Sequence, residues 1–418
     1  MTLHRQRWMP ATVGLGAVGA ALTLLAIAGP VQLAGVRVPP SSVPASARVI
    51  VLACAVSLLV SALCMPARWD RVELVASGLV ALGALSVVVM TGSPLLIAIL
   101  LPLLGALYAT RPGTRPFAAR IRNPGLAALF LGLGAAFLSV RGGPVLGQVG
   151  ALGMALGLVA LAGLAPYLDR FDPDEPTASS GLAWTAFFAP PLAMTVTMEI
   201  LPTLGARQAA VFATVCISLG LVNLAWGVLG AWRAPTLTSA WRRSFLADWG
   251  LVLMGFGLLV PSGRGLAGAF VCLLSLVLCR LPLSIYARSS LEEGTSSGNQ
   301  TEGVGDPSSS GSLGPSVRFS SARNLLVGLA LAGAAPFAGF AGRLLLLDAA
   351  MQLAWPLALL LVVAMVGWLA HSFRLGAGLG RPQGWTAAGV GIVLAIGGFI
   401  GILPGLVLAI AGFGSFQL

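Results

Sequence analysis

Few side chains in this sequence could carry a proton, and most of them lie next to or inside apolar runs. Glu199 stands near the end of one such run, in the context Met198-Glu199-Ile200. Asp248 follows the Trp241-Arg242-Arg243 step at the start of another. Arg343 and Asp348 fall within Leu329 to Gln352, a hydrophobic stretch interrupted by Gly333-Ala334-Ala335-Pro336 and by the Gly339 to Gly342 step. A carboxylate can take up and release a proton, whereas a guanidinium stays charged. An ionisable group at bilayer depth is costly and marks a functional position by default. Arg343, Asp348, Glu199 and Asp248 are therefore the candidates for a proton pathway. Each also has a bland alternative. Glu199 fits an outer interfacial position, and Asp248, like Glu73 beside Asp70 and Arg71, fits an interfacial pair with a nearby arginine. Arg343 equally fits a cation that fixes a broken helix. On a regular helix Arg343 and Asp348 point about 140° apart, so they meet only through a break or a partner helix.

The elements that must position these groups are membrane helices. Of the 418 residues 57% are hydrophobic and 9% charged, with a mean hydropathy of +0.94. A soluble globular protein carries about 25% charged residues. The runs are long, rich in Leu, Ala and Gly, and lack the alternation of membrane strands. The fold class is thus an all-α polytopic membrane protein. At about 20 residues per span the chain accommodates about thirteen helices. They lie near 9–33, 47–66, 71–91, 93–110, 124–141, 145–168, 183–202, 208–231, 245–262, 265–287, 323–350, 352–371 and 385–415. A broken helix is expected near 333–343, and a kink at Pro404. Backbone that breaks inside a membrane needs protein or a water-filled cavity around it.

All 24 basic residues are arginine, and the formal net charge is +11. The arginines are scattered between apolar runs and form no basic domain, which excludes nucleic acid as the partner. With the N-terminus cytoplasmic and the C-terminus outside, most arginines, Arg280 included, fall on the inner face. Only Arg37, Arg48, Arg141, Arg207, Arg264 and Arg343 remain outside it, as the positive-inside rule requires. Residues 289–318 hold too few apolar side chains to build a core and read as a disordered cytoplasmic linker. The linker separates a first membrane part, 1–288, from a second, 319–418. The Asn299-Gln300-Thr301 sequon on that inner face is not a glycosylation site, and the acidic 169–176 loop lacks a calcium-loop spacing. The apolar run after the N-terminal arginines exceeds a signal-peptide core and reads as a retained span.

The five cysteines, Cys54, Cys64, Cys216, Cys272 and Cys279, all sit in apolar runs and read as buried thiols. His4 and His371 give no basis for haem. No dinucleotide, Walker or metalloprotease motif occurs, so no cofactor and no metal are expected. Tryptophans including Trp232, Trp241, Trp249 and Trp385 fall near span ends, as interfacial anchors would. Gly153/Gly157 and Gly397/Gly401/Gly405 permit close helix packing, inside the subunit or against a neighbour.

The Leu329 to Gln352 stretch resembles the L-A-G-x-P-P-x-x-G-F-x-x-K pattern of the antiporter-like membrane subunits of respiratory complex I. That family extends to multisubunit cation/proton antiporters and membrane-bound hydrogenases. The match comprises Leu331-Ala332-Gly333, Pro336, Gly339-Phe340 and Gly342-Arg343, and continues to Gln352. Upstream, Leu161 to Tyr167 resembles the family's first broken helix through Pro166 and Tyr167, which implies a broken helix near 161–170. Ala183 to Leu201 resembles the helix that follows it. Ser239 to Phe256 resembles a later span through Arg242-Arg243 and Gly255-Phe256.

The resemblance implies a membrane-arm subunit of a proton-translocating quinone-reductase, hydrogenase or antiporter assembly, working beside other membrane subunits in a prokaryotic inner or plasma membrane. It places Arg343 where the family carries the lysine or glutamate of its last channel. It also implies that the family's other titratable positions fall at Leu100, Leu161, Leu168, Pro190 and Leu253. Leucine cannot pass a proton, so the resemblance implies a copy without the usual relay, either conducting by another route or supporting the arm structurally. A stand-alone secondary carrier would also use broken helices, but paired titratable residues at mid-membrane are missing. A membrane-embedded lipid or polyprenyl transferase would need polar catalytic loops that the sequence lacks.

Overall fold

A computed structural model describes residues 32–33, 36–37, 44–65, 71–109, 117–140, 143–168, 188–234, 237–287 and 321–413. The expected first span up to residue 31, the 169–176 loop and the 289–318 linker lie outside the described residues. Apart from an antiparallel pair of two-residue strands, β1 (Gln32–Leu33) and β2 (Val36–Arg37), the described elements are helices.

The first part contains α1 (Ala45–Cys64), α2 (Arg71–Met90), α3 (Pro94–Ala109), α4 (Phe117–Ser139) and α5 (Pro144–Leu161). It continues with α6 (Ala189–Ile200), α7 (Ala206–Trp232), α8 (Leu237–Gly257) and α9 (Arg264–Ser275). Helix α9 runs on through a π-turn, Leu276–Arg280, to Ala287. The second part contains α10 (Ala322–Ala332), α11 (Ala338–Leu353), α12 (Trp355–Ala377), α13 (Gly384–Ile402) and α14 (Pro404–Ile410).

Seven of the described helices are long and apolar enough to cross a membrane. The protein is therefore an all-α polytopic membrane protein. Helices satisfy their own backbone polar groups, the condition for entering lipid. Proline marks several starts: Pro94, Pro144 and Pro404 each occupy the first helical position, where the missing N–H costs nothing. Pro404 accordingly splits the last apolar run into α13 and α14. The expected 71–91 and 93–110 spans are two helices separated by a turn at Gly92, whose φ is +63°. The single span expected over 323–350 is two half-helices, α10 and α11.

Helix α9 lies at the centre, with 89% of its apolar window buried against neighbours that include α1, α8 and α11. Helices α12 and α13 are peripheral, each with 28% of the window buried. Gly153 and Gly157 of α5 pack on α4, where an added Cβ at Gly157 would come within 2.6 Å of Leu131 Cδ2. Gly401 of α13 lies against Pro336, so both small-residue sets serve contacts within the subunit. All five cysteines are free and buried. Trp241 and Trp249 are buried in the protein. They pack between helices and do not face outward as anchors, whereas Trp232 and Trp385 are exposed.

Candidate functional site

The two helix breaks have one local design. Helix α5 ends in Leu161-Ala162-Gly163-Leu164-Ala165-Pro166-Tyr167, and α10 ends in Leu331-Ala332-Gly333-Ala334-Ala335-Pro336-Phe337. Gly163 has φ +65° and Gly333 has φ +63°. This left-handed conformation suits glycine and reverses the chain at a helix end. In the first break Gly163 N–H donates to Ala160 O at 3.1 Å and Leu164 N–H to Val159 O at 3.0 Å. In the second, Gly333 N–H donates to Ala330 O at 3.2 Å and Ala334 N–H to Leu329 O at 3.0 Å. Both breaks continue through a cis X–Pro bond. The sequence expectation of broken helices near 161–170 and 333–343 therefore places them correctly; the second interruption is confined to Gly333–Phe337, and Arg343 lies on the restarted half-helix.

Each break exposes backbone that water would otherwise satisfy, and different side chains cover the two. At the first, the fully buried Asn223 of α7 accepts from Ala165 N–H at 2.8 Å. Its amide also donates to Ala165 O at 3.3 Å and to Leu219 O at 2.8 Å. At the second, the Arg343 guanidinium donates to Ala332 O, and Trp368 Nε1 of α12 donates to Leu331 O at 2.8 Å. The open carbonyl end of a half-helix carries partial negative charge, so a cation there is favourable. Gly333 also makes room for that cation. A Cβ at position 333 would come within 2.2 Å of Arg343 Nη1.

Beside the second break lies a buried ion pair. Arg280 Nε donates to Asp248 Oδ2, with side-chain exposures of 3% and 12%. The π-turn that ends at Arg280 sets the direction of this guanidinium. Three aromatic rings enclose it: Trp241 at 5.6 Å, Phe245 at 5.5 Å and Trp368 at 5.3 Å from its central carbon. The quadrupoles of these rings partly replace lost hydration. Arg280 Nη1 and Nη2 are buried with no hydrogen-bond partner among the described residues. Asp248 and Arg343 line a common cavity of about 10 Å³ together with Trp368, Leu224, Leu251 and Met365. His371, fully buried one turn beyond Trp368, lies near it at a centroid distance of 5.4 Å, and neither ring nitrogen has a hydrogen-bond partner among the described residues.

Of the four candidates named from sequence, the fold brings Asp248 and Arg343 to one cavity and leaves the others apart. Asp248 pairs with Arg280 of α9 and with neither Arg242 nor Arg243; Arg243 Nη1 instead donates to Gly230 O at 2.7 Å. Asp348 takes a hydrogen bond from Arg264 at the start of α9 and a second from Gln352 Nε2 at 2.8 Å. The Asp348–Arg264 pair is partly exposed, at 40% and 35%, and lies away from Arg343. Glu199 ends α6 beside the Leu201–Thr203 turn, half-buried and without an ion pair among the described residues. Arg280, assigned from sequence to the inner loops, is a core residue. Its position within the apolar run 265–287 was the available signal. Asn223 and Trp368 had none beyond being polar-tipped residues in apolar helices. Leu161 and Leu253, where the resemblance places titratable groups, are fully packed, at 0% and 2% exposure.

These features define a polytopic membrane protein organised around two matching broken helices and one buried charge cluster. No family model matches the chain, and no curated protein matches it. Solved structures do. A chain of the membrane-bound sulfane sulfur reductase, an archaeal respiratory membrane complex, superposes with a TM-score of 0.68 at 16% identity, over 96% of this chain and 76% of that one. A chain of respiratory complex I from Thermus thermophilus gives 0.65 at 21% identity, over 97% and 93%. A chain of the Mrp complex from Dietzia sp. DQ12-45-1b gives 0.64 at 16% identity, over 98% and 50%. The fold implied by the antiporter-like pattern is thus the fold of this chain.

Proposed function

We propose that this protein is a membrane subunit of a multisubunit respiratory or cation-translocating assembly of the complex I type. It sits beside other membrane subunits, with the N-terminus cytoplasmic and the C-terminus outside. The observation that carries this reading is the pair of equivalent breaks, each closed by the same glycine-capped turn and each sealed by a side chain from another helix. Such breaks serve membrane proteins as places where charge and water meet backbone. The likeness of nearly the whole chain to members of three such assemblies supports the same reading. In this reading redox chemistry belongs to partner subunits. In this copy the positions expected to carry titratable side chains are four leucines and Pro190, with Leu161 and Leu253 packed in the core, so its contribution is to the architecture and electrostatics of the membrane arm.

Purification in a mild detergent tests this. Membrane and quinone-reductase, hydrogenase or antiporter subunits should co-migrate with the protein in stoichiometric amounts. A monodisperse single protein that retains its fold would overturn the assignment in favour of a stand-alone carrier.

A further inference from the structure

We propose that Arg343, Arg280 and Asp248 form an electrostatic barrier that keeps protons and other cations from crossing the middle of this subunit. The inference rests on the membrane-assembly reading above and assigns this copy an insulating role within it. Two guanidinium groups and one carboxylate leave the cluster with net positive charge, and all three side chains are buried or nearly so. Arginine does not give up its proton in proteins. Both cations are also held in place, Arg343 by the Ala332 carbonyl and Arg280 by Asp248 and three aromatic rings. Asp248, bonded to Arg280, is occupied as a counter-ion and is not free to act as a carrier.

The cavity between Asp248 and Arg343 measures about 10 Å³, about the room one water needs. A proton on such a water would stand directly beside a fixed cation; the one carboxylate that faces it, Asp248, is already bonded to Arg280, and Leu224, Leu251 and Met365 are apolar. Fixed arginines exclude protons and cations from narrow membrane passages in this way. His371, behind Trp368, would only add positive charge if it were protonated.

The test is proton flux into proteoliposomes containing the full chain, driven by a potassium diffusion potential and read with an internal pH dye. Wild-type vesicles should match protein-free vesicles. Arg343→Gln, which keeps a donor for Ala332 O and removes the charge, should raise flux about tenfold or more. Wild-type conduction, or a folded Arg343→Gln protein that stays tight, would overturn the barrier. Should Arg343→Gln not reconstitute, Met365→Ser decides: this variant wets the cavity without touching charge, and it should stay within about twofold of wild type. A leak in Met365→Ser would show that apolar packing, not charge, blocks the path. Loss of co-purifying partners would strike the assembly reading alone and leave the flux result standing.

Discussion

The Arg343 guanidinium donates to the Ala332 carbonyl, so one half of a broken helix supplies the cation that caps the other. Gly333, which directly follows Ala332, bends the chain and leaves the space through which that guanidinium passes. Gly333→Ala combines a strained φ with a collision against Arg343. It should cost more stability than an ordinary glycine-to-alanine change, on the order of 2–4 kcal/mol. A fall in the thermal midpoint in detergent, larger than that of Gly391→Ala in open space on α13, is the expected outcome.

The Asp248–Arg280 pair predicts strong non-additivity. Removing one partner leaves the other charge buried without compensation, at about 3–5 kcal/mol. Asp248→Leu and Arg280→Met should each lower the unfolding midpoint sharply. The double variant Asp248→Leu/Arg280→Met should be more stable than the sum of the single losses, because no orphan charge remains. A double-mutant cycle in denaturant reads this directly, and additive losses would show that the pair is not coupled.

Two polar side chains should behave in opposite ways. Asn223 serves both backbone groups of Ala165 from a fully buried position. Asn223→Leu strands them, at a cost of about 1–3 kcal/mol, and should speed hydrogen exchange of the Ala165 amide. Asp348→Asn breaks a half-exposed pair with Arg264 and should change stability by under about 1 kcal/mol. If Asp348→Asn proved the more damaging of the two, the outer rim, and not the first break, would be the structural keystone.

Local sequence was enough for the helical class, for both breaks and for the place of Arg343. Apolar run length and glycine–proline punctuation act within a few residues of the chain, so they can be read without a fold. The matching Leu161–Tyr167 and Leu331–Phe337 motifs were legible in the same way, as a repeated string that predicts a repeated turn. Tertiary packing alone decided the rest. Helical periodicity says which face a side chain occupies and nothing about which helix will cover it. Asp248 therefore found Arg280 on α9, far along the chain and not beside it. Arg280 and Trp241 look like loop and interface residues until α8, α9 and α12 close around them. Asp348 lies close to Arg343 in sequence, yet the turn of α11 aims it at Arg264 and the rim. The charge cluster exists because helices distant in sequence converge at the second break, where burial makes each remaining charge count.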